Sequence, residues 1–400
     1  MLEVVTKMRD ERKESQHVFI VGSKGIPAQY GGFETFVEKL TKYNEEDMVL
    51  HVACMSDKPG EFIYNEAECV QIKVPKIGAA KAVYYDCAAL ERFIHYCYLH
   101  PEMRQPVFYV LTCRIGFRIH YYRKKIHELG GKLYINPDGH EWKRRKWCLL
   151  IRWYWKISEM YMVKNADMLV CDSKNIEAYM KKEYARYNPR TTFIPYGSER
   201  VGEKNDREIE KLQEWFREKK LEAKNYYLIV GRFVPENNYE TIIREFMSSD
   251  TSRKLAIITG NNNKLMKQLK HRNRYDKDNR ICFVGTVYDQ ELLQLIRKHA
   301  FAYIHGHEVG GTNPSLLEAM SCTETNLLLD VGFNREVGGD AALYWEKKRG
   351  SLRSLIQLVE NLPKETRMEQ GEKAKQRMWK YYGWTGVIEA YRLLFSANRE

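Results

Sequence analysis

The feature that most constrains the fold is an alternation, met twice along the chain, of short runs apolar at every position and longer stretches with helical periodicity. A strand that is apolar on both faces must be covered on both, which parallel sheets achieve with helices above and below. The first series opens on His17–Val21, which stops at Gly22 and is followed by a glycine-rich segment to Gly32 and an amphipathic helix over Phe33–Tyr43. Strand, glycine loop and helix in that order open an α/β nucleotide-binding unit. Further strands are expected at Met48–Cys54, Gln71–Val74, Val107–Thr112, Lys132–Ile135 and Met168–Cys171. Helices are expected over Tyr84–Leu99, Phe117–Leu129, Lys146–Asn165 and Ser173–Glu183. The second series starts at Tyr226–Val230 and continues with strands at Leu255–Thr259, Ile281–Val284, Ala302–Ile304 and Asn326–Leu329.

The chain has 400 residues, and a single core rarely keeps growing beyond about 250–300. The expected fold class is therefore α/β, with two Rossmann-like, doubly wound domains facing each other across a cleft. Residues 1–16 read as a polar extension, 17–200 as the first domain and 201–375 as the second. Residues 376–400 read as the end of a helix, Lys373–Ser396, that crosses back to the first domain. The net charge of +12, from 65 Lys and Arg against 53 Asp and Glu, favours anionic partners, though solubility by like-charge repulsion explains it equally well. Nine cysteines, with no Cys-x-x-Cys pair, suit reduced and buried thiols in a cytoplasmic protein. The first 17 residues lack the apolar core of a secretory signal. No stretch reaches the roughly 18 uncharged apolar residues of a spanning helix, so a membrane partner would be met at its surface.

Four segments carry the candidate chemistry. In the first, Gly22, Gly25, Gly31 and Gly32 permit close backbone approach, and the following helix N-terminus offers amides to an anion beside Lys24. The spacing is neither Gly-x-Gly-x-x-Gly nor a Walker loop, and a plain turn is the alternative. The second, Asn136–Lys143, puts Asp138, His140 and Glu141 just after a strand, where they could serve as a base or orient a hydroxyl. Pro137-Asp138-Gly139 is also good turn chemistry. The third, Gly231–Asn238, holds Arg232, suited to a bidentate contact with phosphate or simply to a surface turn. The fourth, His305–Met320, has Gly310 and Gly311 before a helix that opens at Pro314, with Thr312 and Asn313 as caps and Glu318 one turn in, placed to bind a ribose.

Metal readings are weak: Asp276 and Asp278 sit in a basic loop, and His305, His307 and Glu308 lack a metal-ligand spacing, so no metal is expected. From Lys143 to Lys164, the basic residues Lys143, Arg144, Arg145, Lys146, Arg152 and Lys156 interleave with Trp142, Trp147, Trp153, Tyr154 and Trp155. That mixture suits a helix lying among lipid headgroups. No nucleic-acid module accompanies it, and no nucleic-acid partner is expected.

Taken together, the Gly231–Asn238 loop and the block ending at Pro314–Met320 resemble the donor-binding segments of family 4 glycosyltransferases, which have the GT-B fold. Gly25–Phe36, Asn136–Trp147 and Val234–Asn238 look like a bacterial subgroup of polysaccharide β-1,4-rhamnosyltransferases, and the resemblance runs from about residue 17 over nearly the whole chain. It implies retaining transfer of L-rhamnose from dTDP-L-rhamnose to glucose or N-acetylglucosamine on a polyprenyl (undecaprenyl) pyrophosphate, in capsule or cell-wall synthesis. It also implies no cofactor and no metal on the diphosphate. The partners are then the nucleotide sugar, the lipid-linked acceptor and the anionic inner leaflet, with the enzyme peripheral on the cytoplasmic face of the membrane. On this reading Arg232 and the Gly310, Gly311, Thr312 and Asn313 amides hold the diphosphate, Glu318 holds the ribose, and Gly25, Tyr30, Gly31 and Gly32 close the site. Asp138 is the first choice to act on the acceptor hydroxyl, with Lys143, Asp172 and Glu236 as further catalytic groups and His140, Glu141 and Lys24 on the acceptor side.

Two positions depart from the family pattern: Gly310 stands where a Glu is usual, with Glu308 two residues earlier, and Asn237 stands where a Lys is common. Lys143 or Lys24 would then supply the missing charge. A nucleotide-sugar epimerase of the same fold, or a non-catalytic partner subunit of a transferase, are the alternatives.

Overall fold

The structure is a computed structural model that describes residues 15–29, 31–44, 47–144, 146–199, 202, 206–260 and 263–397. The chain divides into two compact units. One takes in the described residues of Met1–Lys143, Trp147–Tyr196 and Trp384–Glu400, and the other those of Arg144–Lys146 and Gly197–Gly383.

In the first unit the strands are β1 (Gln16–Val21), β2 (Met48–Ser56), β3 (Gly60–Tyr64), β4 (Ala67–Lys73), β5 (Val107–Leu111), β6 (Lys132–Asn136), β7 (Met168–Cys171) and β8 (Thr191–Phe193). They form one sheet in the order β3-β4-β2-β1-β5-β6-β7-β8, parallel except for the antiparallel pair β3 and β4. β1 and β5 are buried at every position, as central strands with covered faces must be. In the core Phe19 stacks on His51 at 4.2 Å and on Phe108 at 5.0 Å. Each such apolar side chain contributes about 1.5–3 kcal/mol when fully buried.

The predicted helix Lys373–Ser396 is two helices, Lys364–Tyr382 and Trp384–Ser396. Gly383 between them is extended (φ −66°, ψ 134°), and the Ser198 amide donates to the Tyr382 carbonyl at 2.6 Å. The second unit thus runs from Gly197 to Gly383 rather than from 201 to 375, and the first resumes at Trp384. In the helix Trp384–Ser396 the residues Trp384, Val387, Ile388, Tyr391 and Phe395 are buried, one stripe at helical spacing. That stripe lies on the first unit's sheet: the Tyr391 ring is 5.2 Å from Phe36, and its hydroxyl is 3.0 Å from that of Tyr109.

The second unit's strands are β9 (Tyr226–Val230), β10 (Lys254–Ile258), β11 (Ile281–Gly285), β12 (Ala302–His305), β13 (Asn326–Leu329) and β14 (Leu343–Trp345). Their order is β11-β10-β9-β12-β13-β14, parallel throughout. The strand order reverses at β1, flanked by β2 and β5, and at β9, flanked by β10 and β12. In open α/β sheets ligands bind beyond the carboxyl ends of the strands at such a reversal. In the second unit the segments leaving β9 and β12 are those read as Gly231–Asn238 and His305–Asn313. In the first unit the glycine segment leaves β1.

Candidate active site

In the second unit Asn237 ties the two reversal loops together. Its amide nitrogen donates to the Arg232 carbonyl at 2.7 Å, and its amide oxygen lies 2.8 Å from Nδ1 of His307. Asn238 adds a second tie, donating to the Gly306 carbonyl at 2.8 Å. The Asn237 amide thus uses both ends for structure. Arg232 projects into solvent. The His307 imidazole is held neutral well below its ordinary range, first by burial and also by charges that include Arg232. Gly310 has φ +146°, and a Cβ there would lie 3.0 Å from Nε2 of His307, so the imidazole borders the place where the family's glutamate would begin.

Thr312 is buried, and Asn313 caps the helix Pro314–Met320 by accepting from the Ser315 amide at 3.0 Å. Glu318 projects from that helix with one carboxylate oxygen 2.6 Å from the buried Arg297 guanidinium. Glu236 is buried beneath the β9 loop, and its carbonyl accepts from the Glu308 amide at 3.0 Å. Glu308 pairs with Lys347.

In the first unit Gly22 has φ +106°, and a Cβ there would meet the Leu111 carbonyl oxygen at 2.1 Å, so β1 ends hard against β5. Three amides of the glycine segment are spoken for: Lys24 donates to Glu34 at 2.8 Å, Ala28 to Glu38 at 3.2 Å and Gly25 to the Ser23 hydroxyl at 3.2 Å. Glu34 also packs over Gly31, the cap of the helix Gly32–Lys42, where a Cβ would clash with its carboxylate at 1.8 Å. The side chain of Lys24 is exposed. Tyr30 and Arg145 lie outside the described residues.

Beneath the segment, Arg114 donates to the Gly22 carbonyl at 2.7 Å and sits 3.6 Å from Asp86. Asp86 is fully buried, and burial, partly offset by Arg114, pushes its carboxyl up to about 6.

Asp138 and Asp172 follow adjacent strands, β6 and β7, and converge on one group of phenols. The buried Tyr196 hydroxyl is pushed far up, first by burial and then by the charges of Asp172 and Asp138. The Asp138 amide donates to the Asn136 side chain at 2.8 Å. Asp138 and His140 both hold positive φ, 56° and 44°. Outside glycine such conformations cost energy and cluster at functional sites. The His140 ring is 4.2 Å from Tyr179, and burial followed by the charges of Lys143 and Lys156 brings its pKa down to about 4. Glu141 accepts from Trp147 Nε1 at 3.0 Å, and Lys143 is exposed with its ammonium over Trp142.

Residues 211–377 match the family described as glycosyl transferases group 1. That stretch is a group 1 glycosyltransferase domain. Residues 15–199 match a family described as a domain of unknown function, DUF1972. No curated protein sequence matches the chain. Among solved structures, sucrose-phosphate synthase from Thermosynechococcus elongatus aligns at 17% identity with a TM-score of 0.75, covering 96% of this chain and 100% of that one. The α,α-trehalose-6-phosphate synthase from Burkholderia multivorans aligns at 10% identity with a TM-score of 0.69, covering 96% and 98%. HepE from Anabaena, solved with UDP, aligns at 11% identity with a TM-score of 0.67, covering 96% and 100%. The chain shares their GT-B fold of Rossmann-like domains.

Within the transferase domain, then, Arg232, Glu236, Gly310, Gly311, Thr312, Asn313 and Glu318 fall on or beside the two reversal loops of one sheet. Asp138, His140, Glu141, Lys143 and Asp172 gather beyond β6 and β7 of the other. Asp276 and Asp278 are spent on Lys270 and Arg280. Among the described residues no group of three or more His, Cys, Asp or Glu is placed to share a metal ion. Sequence reasoning did not single out Glu34, Asp86, Arg114 or Arg297, whose partners lie on other elements. The acidic Glu34 two residues after Gly32 was the one local signal available.

Proposed function

We propose that this glycosyltransferase moves L-rhamnose from dTDP-L-rhamnose to glucose or N-acetylglucosamine carried on a polyprenyl pyrophosphate, with retention and a β-1,4 linkage. The product would serve capsule or cell-wall polysaccharide. The observation that carries the reading is the transferase domain itself, with Arg232 and Glu318 beside one strand reversal. In the reaction the bond from the sugar C1 to the diphosphate oxygen breaks and a bond from C1 to the acceptor oxygen forms. The acceptor proton passes to the departing phosphate. Arg232 stabilises the charge that develops on that diphosphate, Glu318 holds the nucleoside sugar, and Asp138 with Asp172 orients the acceptor hydroxyl.

A lipid-borne acceptor is supported by an apolar ridge on the first unit. Leu149, Leu150 and Trp153 are 78%, 80% and 67% exposed, and Phe117 and Tyr121 of the adjoining helix are exposed beside them. Lys124 is exposed on the adjoining helix, a composition suited to an anionic leaflet on the cytoplasmic side. Among the described residues no helix is long and apolar enough to cross a membrane.

The test is transfer from a panel of nucleotide sugars to synthetic lipid-pyrophosphate glucose and N-acetylglucosamine, read by mass spectrometry. The expected result is a gain of one deoxyhexose with dTDP-rhamnose alone. Gain with another donor overturns the rhamnose assignment, and conversion of free donor without transfer points to an epimerase.

A further inference from the structure

The helix Leu149–Asn165, whose mixture of basic and aromatic residues suits a lipid surface on one side and core on the other, keeps one of its lysines half-buried against the protein. The Lys156 ammonium donates to the hydroxyls of Tyr179 at 2.6 Å and Tyr184 at 3.0 Å, and pairs with Glu183 at 2.7 Å. The rings of Trp142, Tyr179 and Tyr184 surround it at 4.9, 5.1 and 4.9 Å. Beneath them the Glu159 carboxylate, 4% exposed, accepts from the Tyr179 hydroxyl at 2.7 Å and from that of Tyr184. An ammonium and a buried carboxylate thus bracket two phenols, each of which accepts from Lys156 and donates to Glu159.

One wall of this box, Trp142, belongs to the loop that follows β6, and a second loop residue, His140, packs on the Tyr179 ring. That loop holds Asp138 and His140 at positive φ. Such a conformation persists only where its surroundings over-determine it. Trp142 is also gripped by Arg152 of the same helix, which donates to its carbonyl at 2.7 Å.

We infer that Lys156 is a positioning residue: by anchoring Trp142 and the Tyr179 ring it holds the Asn136–Lys143 loop, and with it Asp138, in the geometry that receives the acceptor. The functional part of this inference rests on the acceptor-side reading given above. His140 reports on the anchor. The groups that face it are Lys143 of its own loop, Lys156 of the helix Leu149–Asn165, and Glu183 and Tyr179 of the helix Lys174–Glu183. Burial and the two lysines hold it neutral, and Glu183 opposes them.

The experiment compares full-length wild type, Lys156→Met and Lys156→Arg. Thermal melting checks folding, proton NMR follows the His140 titration, and kinetics are measured with dTDP-rhamnose and the lipid-linked acceptor. In Lys156→Met the His140 midpoint should rise from about 4 toward the ordinary imidazole range. There kcat should fall at least about tenfold, with KM for the donor nearly unchanged, because a loop misplacement of an ångström is enough for such a loss. Lys156→Arg, which keeps the charge, should keep His140 low and recover part of kcat. A folded Lys156→Met with an unmoved His140 titration and wild-type kcat overturns the inference. Should Lys156→Met not fold, Lys156→Arg decides through hydrogen exchange. Slowed turnover with faster exchange over residues 136–143 supports the anchor, and wild-type values for both refute it. If wild type transfers no sugar at all, the acceptor-side reading fails, and the His140 titration still decides whether Lys156 holds the loop.

Discussion

Removing the Glu318 carboxylate should strand a guanidinium. The Arg297 side chain is 3% exposed, while that of Glu318 is 37% exposed, and the two meet at 2.6 Å. Arg297 also donates to the Ser315 hydroxyl, at 3.3 Å. Breaking a fully buried pair by deleting one member costs about 3–5 kcal/mol, because the remaining charge stays buried. Water reaches Glu318, which screens the interaction and brings the expected cost to about 2–3 kcal/mol. For a unit of this size 1 kcal/mol moves the melting temperature by about 2–4 °C, so Glu318→Ala should melt roughly 5–10 °C below wild type. Adding Arg297→Met removes the stranded charge and should recover most of the loss, to within about 1 kcal/mol of wild type. Neither variant should bind dTDP normally by titration calorimetry, since both lack the carboxylate proposed to hold the ribose. The double variant would then separate folding from recognition: stable, yet unable to hold the nucleotide. A Glu318→Ala protein that melts within about 2 °C of wild type, or a double variant less stable than the single, refutes the reasoning.

Three further outcomes follow from the geometry. Gly22→Ala must place a methyl 2.1 Å from the Leu111 carbonyl at φ +106°. The conformation alone costs about 1–2 kcal/mol, so the variant should melt several degrees lower by differential scanning calorimetry, and an unchanged melt would show that β5 yields freely. Replacing Leu149, Leu150 and Trp153 together by Ser should weaken sedimentation with anionic vesicles roughly a hundredfold if half of each side chain enters the bilayer, about 1 kcal/mol apiece; unchanged sedimentation places the lipid contact elsewhere. Asp86 and His140 oppose each other in their pH dependence. Asp86 titrates at about 6 folded against an ordinary 3.8, so its contribution to stability is lost as pH rises through that range. His140, at about 4 folded against 6.5, loses its contribution as pH falls through the same range. In Asp86→Asn the melting temperature should therefore fall more steeply from about pH 6.5 to pH 4.5 than in wild type, and parallel profiles would contradict the assignment.

The central strands were legible because burial on both faces leaves a plain mark. Tyr226–Val230 and Asn326–Leu329 were read with the boundaries the structure has. The edge strand Gly60–Tyr64 was missed because its residues alternate between half-buried and exposed, so its apolar content never forms a run. The three-residue strands Thr191–Phe193 and Leu343–Trp345 are too short to show any period. Glu318 stood out through its place one turn into a capped helix, but Arg297 did not, since the tie between them spans the end of another helix. Asp86 sits among apolar residues of the helix Lys81–Leu99, where a lone carboxylate reads as a solvent-facing residue. Nothing in the local pattern says that a lysine such as Lys156 faces inward. That depends on Tyr179 and Tyr184, which arrive from beyond the next strand.

The stripe Trp384–Phe395 that closes over Phe36 and Tyr109 also sets a schedule for synthesis. The second unit is nearly continuous in the chain, whereas the first lacks part of its core until the helix Trp384–Ser396 has left the ribosome. At 5–20 residues per second, the sheet of the first unit waits about ten to forty seconds with the Tyr109 and Phe36 face uncovered. During that interval the nascent protein presents an apolar surface that invites chaperones or premature association. Truncation just before Trp384 would make the wait permanent.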